Sequence, residues 1–282
     1  MSSTDPENAV TRLRLVRTFL TLLPAIVFLV AFLPLHMLAR KAKIVAISDR
    51  LPLTFHRILL WLLDVRVIVR GRPEPTRPLL ICSNHVSWLD IPVLGSIQPV
   101  SFISKDEVAG WPVIGFLARQ QDTIFIDRTR RHATGEATQA MADALSEDRA
   151  LVLFPEGTSS DGRAVLPFMS SLIGAVQKEI VNEGEAGARI QPVVVCYQRR
   201  DGLPITRGDR PDIGWYGDMD LLPHAVGIAL GGPLEVVIDF LPPLDEDLAG
   251  RRKEAASVMQ RDVQRRLALR LAGRWSDNEP SA

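Results

Sequence analysis

A chain of 282 residues with 46% hydrophobic side chains can bury the core of one large α/β domain or two small ones, and is too polar for a polytopic membrane protein. Its 33 Lys and Arg are matched by 33 Asp and Glu, so overall charge gives no reason to expect nucleic acid as a partner. The two cysteines, Cys82 and Cys196, exclude a disulfide scaffold and a four-ligand zinc site, and each lies in an apolar run as a buried strand thiol would.

Residues 1–17 are polar and basic through Arg12, Arg14 and Arg17. An uncharged stretch over 18–39 follows, about the 20 residues that a helix needs to cross a hydrocarbon core, and Arg40, Lys41 and Lys43 close it. It is too long for a signal-peptide core and lacks a small-residue cleavage site. Basic residues flank both ends, so charge does not choose an orientation. Pro24 and Pro34 can bend the helix, and a single span and a bent helix dipping into one leaflet both satisfy the pattern. Segment 51–69, with Trp61 among His56, Arg57, Asp64 and Arg66, reads as an amphipathic helix against lipid headgroups that runs into a short strand near 67–69. Residues 18–70 are thus expected to anchor the protein to a membrane.

The turn cluster Gly71-Arg72-Pro73-Glu74-Pro75 opens the expected catalytic domain, 71–275. Strand-like runs fall at 79–83, 100–104, 123–126, 151–154, 190–197 and 234–240, with helix-like stretches between them at 90–97, 113–119, 134–145 and 166–181. That alternation predicts an α/β fold, a central mixed sheet flanked by helices. Residues 245–274 begin acidic and become basic, as a long capped helix should, and 276–282 are expected to be a flexible tail.

The strand at 79–83 runs into Asn84-His85-Val86-Ser87-Trp88-Leu89-Asp90. Polar groups at the carboxyl end of a sheet strand sit where α/β folds place their chemistry. The short separation of His85 and Asp90 lets the carboxylate hold one imidazole nitrogen while the other faces a cleft, an arrangement that can take a proton from an attacking alcohol. Cys82 and Ser87 are weaker nucleophile candidates, one inside the strand and the other without a base of its own. Further on, Phe154-Pro155-Glu156-Gly157-Thr158 ends a strand with a turn in which Gly157 permits close backbone approach and the following amides can cradle an oxyanion. No metal-ligand spacing is present.

In order and spacing, Asn84-His85-(four residues)-Asp90, then Lys105 with Gly110-Trp111-Pro112-Val113-Ile114-Gly115 and Ile124-Phe125-Ile126-Asp127-Arg128, then Phe154 to Thr158, then Gln191-Pro192-Val193, resemble the four motifs of the glycerolipid acyltransferase superfamily. The resemblance covers about residues 75–200. It implies transfer of a fatty acyl chain from acyl carrier protein (ACP) or coenzyme A (CoA) to the free hydroxyl of a lysolipid, as in 1-acyl-sn-glycerol-3-phosphate acyltransferases, with no further cofactor. It implies His85 as base and Asp90 as its orienting group. Substrate contacts are implied for Lys105, Arg128, Glu156, Gly157 and Thr158, with Arg128 gripping a phosphate. It also implies a bacterial inner membrane with the catalytic domain on the cytoplasmic side. One position departs from the pattern: lysophosphatidate enzymes commonly carry arginine after Glu-Gly-Thr, where this chain has Ser159, followed by Ser160-Asp161-Gly162. That version, with Trp215-Tyr216-Gly217-Asp218-Met219 and Pro223-His224, is similar to the lyso-ornithine lipid acyltransferase branch, whose acceptor has a zwitterionic head. His224 reads as a structural histidine at a helix end rather than a second base. The basic C-terminal helix is a candidate contact for the carrier protein or anionic lipid.

Overall fold

A computed structural model describes residues 23, 27, 30–126, 139–141, 143–145, 147, 149–174 and 188–274. Residues 30–41 are helical, followed by helix α1 (Val45–Leu62), strand β1 (Val65–Arg70), β2 (Leu79–Ser83), α2 (Asp90–Gly95), β3 (Ser101–Lys105), α3 (Asp106–Ala109), α4 (Pro112–Gln120), β4 (Ile124–Ile126) and β5 (Ala150–Leu153). After β5 come β6 (Arg189–Arg200), β7 (Leu203–Pro204), α5 (Leu221–Leu230), β8 (Leu234–Phe240), α6 (Glu246–Ala249) and α7 (Arg252–Leu271).

The strands form one sheet in the order β1-β8-β6-β2-β5-β3-β4, with β7 added to β6. It is mixed, as the alternation predicts. Strands β6, β2, β5, β3 and β4 run parallel, whereas β8 pairs antiparallel with β6 and parallel with β1. Strand β2 lies in the middle and is buried at every position, so its sequence is a near-continuous apolar run rather than an alternation. Its side chains still divide between two cores: Leu80 and Cys82 face α7 through Met259 and Val263, while Leu79 and Ile81 face Leu60, Leu89 and Val93 of the other layer. Helices therefore cover both faces.

Three expectations are corrected. The helix expected from residue 166 begins at 170 among the described residues. The single C-terminal helix is two, α6 and α7, separated at Gly250 and Arg251. The amphipathic helix before β1 starts at Val45 rather than 51. Of the apolar stretch 18–39, residues 18–22, 24–26, 28 and 29 lie outside the described residues, and no helix among those described is long and apolar enough to cross a membrane.

The N-terminal helices are docked on the turn after α4. His36 donates from Nε2 to Gln120 O at 2.9 Å, and Arg40 donates to the same carbonyl at 2.9 Å and pairs with Asp122. From α1, the buried His56 accepts from the Gln121 side-chain amide. The same edge of that ring packs on Gly95 so closely that a Cβ there would meet Cδ2 and Nε2 at 2.5 and 2.7 Å.

Candidate active site

The parallel strands β2, β5, β3 and β4 end on one edge of the sheet, and each leads into a segment that carries an expected site residue. His85 follows β2, Glu156 follows β5, and Lys105 closes β3 in register with Ile126 of β4. Arg128, two residues past β4, lies outside the described residues. Lys105 and Thr158 are both exposed.

Asn84 prolongs the ladder past the end of β2: its side chain donates to Val195 O at 3.0 Å and accepts from Val195 N–H at 2.8 Å. The chain then turns sharply around one carboxylate. Asp90 Oδ2 accepts from His85 Nδ1 at 2.8 Å, from Val86 N–H at 2.7 Å and from Ser87 N–H at 3.0 Å. Its Oδ1 accepts from the Tyr197 hydroxyl at 2.7 Å. Asp90 is fully buried, and this donor set is what an ionised carboxylate needs in a dry place. Because an acceptor faces Nδ1, that nitrogen carries the proton in the neutral ring and Nε2 keeps its lone pair. The ring stacks on Phe154, centroids 4.0 Å apart and planes 17° from parallel, and remains 18% exposed.

Glu156 ties the two loops together. Oε1 accepts from His85 N–H at 2.8 Å and Oε2 from Leu166 N–H at 2.8 Å. The residue is buried, and burial, with some repulsion from Asp90, pushes its carboxyl up to about 7 against the opposing pull of those two N–H groups. Gly157, at φ +73°, closes the turn with its N–H on Phe154 O at 3.0 Å, a conformation in which a side chain would be strained. Ser160 N–H then reaches back to His85 O at 2.9 Å.

The segment after β7 covers this turn. Trp215 N–H donates to Val86 O at 2.9 Å, Ser159 Oγ donates to Trp215 O, and Arg210 donates to Gly162 O at 3.3 Å. Trp88 donates from its indole to Nδ1 of His224, in the first turn of α5, so that ring is held by its neighbour, and burial lowers its affinity for a proton. The other nucleophile candidates are closed off: Ser87 is fully buried, and so is Cys82, whose thiol burial pushes well above its ordinary value. Sequence reasoning missed Tyr197. Its one signal was a phenol inside a strand of buried aliphatic residues, where the hydroxyl requires a partner.

A doubly covered mixed sheet with an oriented, partly exposed imidazole at the carboxyl end of its central strand defines an α/β protein equipped for general-base chemistry. A family model described as "Acyltransferase" matches residues 66–196. The chain is 39% identical to the lyso-ornithine lipid O-acyltransferase of Brucella abortus (strain 2308), over 92% of this chain and 97% of that protein. It is 38% identical to the protein of the same name from Rhizobium meliloti (strain 1021), over 79% and 77% respectively. The crystal structure of the 1-acyl-sn-glycerophosphate (LPA) acyltransferase PlsC from Thermotoga maritima superposes with a TM-score of 0.65 over 93% of this chain and 99% of that one, at 21% identity, a likeness of fold. The chain belongs to the acyltransferase family.

Proposed function

We propose that this protein is a membrane-associated lysolipid O-acyltransferase whose acceptor is lyso-ornithine lipid or a lysolipid with a similar zwitterionic head. His85 Nε2 takes the proton of the acceptor hydroxyl as its oxygen attacks the carbonyl of a thioester donor, acyl-ACP or acyl-CoA. The Asp90 carboxylate keeps the proton on Nδ1 and stabilises the imidazolium that forms. Amides following Gly157 steady the oxyanion, and on collapse the carrier leaves as its thiol, taking the proton from His85. Lys105 and Arg128 serve the anionic groups of the substrates. The observation that carries this reading is the 2.8 Å contact of Nδ1 with a buried carboxylate on an imidazole whose ring still reaches solvent.

The acceptor assignment is supported by Ser159, which stands where a phosphate-reading arginine would be expected, and by the names of relatives matched over 97% and 77% of their own length. Membrane association is supported by the exposed apolar side chains of the N-terminal helices, Val30, Leu35, Leu38 and Val45 among them, close in sequence to Lys41 and Lys43. We place the enzyme on the inner membrane, catalytic domain toward the cytoplasm, where both donors are made.

The test is acylation by the purified full-length protein, offering lyso-ornithine lipid and lysophosphatidate with each labelled donor. The expected result is a higher kcat/KM on lyso-ornithine lipid, and preference for lysophosphatidate would overturn the acceptor assignment. His85→Ala is expected to lower kcat by a factor on the order of 10²–10⁴, the usual worth of a positioned base. Turnover at the wild-type rate in the folded variant would refute the base.

A further inference from the structure

We infer that Trp215 and Trp111 form an aromatic subsite for the ammonium group of the acceptor head, with Ser159 as the tether that holds it. The inference rests on the acceptor reading above and adds the residues that read the head.

Trp215 is fixed by its backbone to both loops of the site. Its N–H donates to Val86 O, next to His85, and its carbonyl accepts from Ser159 Oγ, three residues past Glu156. The side chain at the position expected to carry a phosphate-reading cation is thus employed in placing an indole. The indole's own polar group is also occupied: Nε1 donates to Met219 O at 2.8 Å, within the same turn. What Trp215 offers a ligand is therefore its ring face and nothing else. Trp111 reaches it from the segment after β3, another strand whose carboxyl end lies on the site edge. The two rings stand 6.0 Å apart at 82°, nearly perpendicular, and both are only half-buried.

Two perpendicular aromatic planes make two walls of a cage, the arrangement that attracts an ammonium through the negative ring faces. A phosphate would be repelled by the same faces. The segment that carries Trp215 also holds Asp218 and Asp220, both exposed, whereas Arg210 in the same segment is buried and bonded to Gly162 O. The wall also adjoins the polar Ser159-Ser160-Asp161 loop, through the bond from Ser159 Oγ to Trp215 O, a setting that suits a polar head better than an acyl chain.

The experiment compares full-length wild type, Trp215→Leu and Trp215→Phe on three acceptors: lyso-ornithine lipid, the same lipid with its amine acetylated, and lysophosphatidate. Leucine keeps apolar bulk and the backbone bonds but has no ring face. Trp215→Leu is expected to raise KM for lyso-ornithine lipid by about 3- to 30-fold, with kcat nearly unchanged. KM for the acetylated lipid and lysophosphatidate should stay within about twofold, and Trp215→Phe should recover most of the loss, as the cation–π origin requires. The inference is overturned if Trp215→Leu changes all three acceptors by the same factor, the mark of a prop for the His85 turn. It is overturned equally if the loss scales with acyl length instead of head charge. Failure of the acceptor reading would appear in the wild-type rates alone. Failure of this inference appears only in the ratio of variant to wild type between acceptors.

Discussion

At the scale of single residues, the site is organised around what Asp90 demands. A carboxylate with no exposure to water needs each oxygen satisfied, and the chain supplies His85 and two backbone N–H groups to one and the Tyr197 hydroxyl to the other. Tyr197→Phe removes the only side-chain donor on Oδ1 among the described residues and leaves that oxygen buried. We expect the variant to lose about 1–3 kcal/mol of stability, the cost of a buried polar atom left unpaired. We expect kcat to fall about tenfold with KM unchanged, because the imidazole is placed less well while nothing that touches substrate has gone. Urea denaturation and steady-state kinetics read the two effects, and a rise in KM with kcat intact would show that Tyr197 lines the substrate site instead. The pairing of His85 with Asp90 was legible because five residues across a strand end and a helix start leave few other geometries. Tyr197 was not, because its partner is 107 positions away and no local spacing reports it. Likewise Ser159 was legible as a missing cation, whereas its bond to the Trp215 carbonyl depends on a segment that only the folded chain brings near.

At the scale of elements, most strands were legible because buried parallel strands are written as short apolar runs between turn residues. The departures have local causes. Residues 165–168 stay out of helix because their N–H groups bond to side chains: Val165 to Gln264 at 2.7 Å, Leu166 to Glu156, and Phe168 to Gln260 at 3.3 Å. Pro167 reinforces this by disfavouring helical geometry at Leu166. Helix α7 thus supports the site from behind, through the segment that holds Glu156. The helix is in turn fastened to β8 by Arg270, whose Nε and Nη2 grip Asp239 at 2.8 and 2.6 Å, with Arg266 adding a third contact at 3.3 Å. Asp239 and Arg270 are both buried, so removing one member strands a charge. Asp239→Ala is expected to lower unfolding stability by about 3–5 kcal/mol. Asp239→Ala with Arg270→Met should recover much of the loss, since a buried ion pair is worth little more than well-packed apolar residues. Equal denaturation midpoints for the single variant and wild type would mean that α7 is held by its apolar face alone.

At the scale of the whole molecule, strand order and the docking of the N-terminal helices were beyond the sequence, since both depend on pairings between distant segments. Those long-range contacts bury two titratable groups with opposite consequences. Burial pushes Glu156 up to about 7 from 4.5, and burial pushes His56 down to about 4 from 6.5, the bond from Gln121 opposing it. A carboxyl that keeps its proton in the folded state binds more protons than the unfolded chain does between 4.5 and about 7, so its contribution to stability falls as pH rises through that window. A histidine held neutral binds fewer between about 4 and 6.5, so its contribution rises with pH there. Across most of that range the two slopes oppose each other. Glu156→Gln removes the first slope and leaves the second, and it also sets an amide N–H against one of the backbone N–H groups the carboxylate now accepts. The unfolding free energy of wild type minus that of the variant should therefore be largest near pH 4, decline between about 4.5 and 7, and level off above. Urea titrations at half-unit pH steps measure this difference with every other group in common. A difference that does not vary with pH would mean that Glu156 gives up its proton as readily in the folded protein as in the unfolded chain. The two N–H groups on its oxygens would then offset the cost of burial in full, rather than in part.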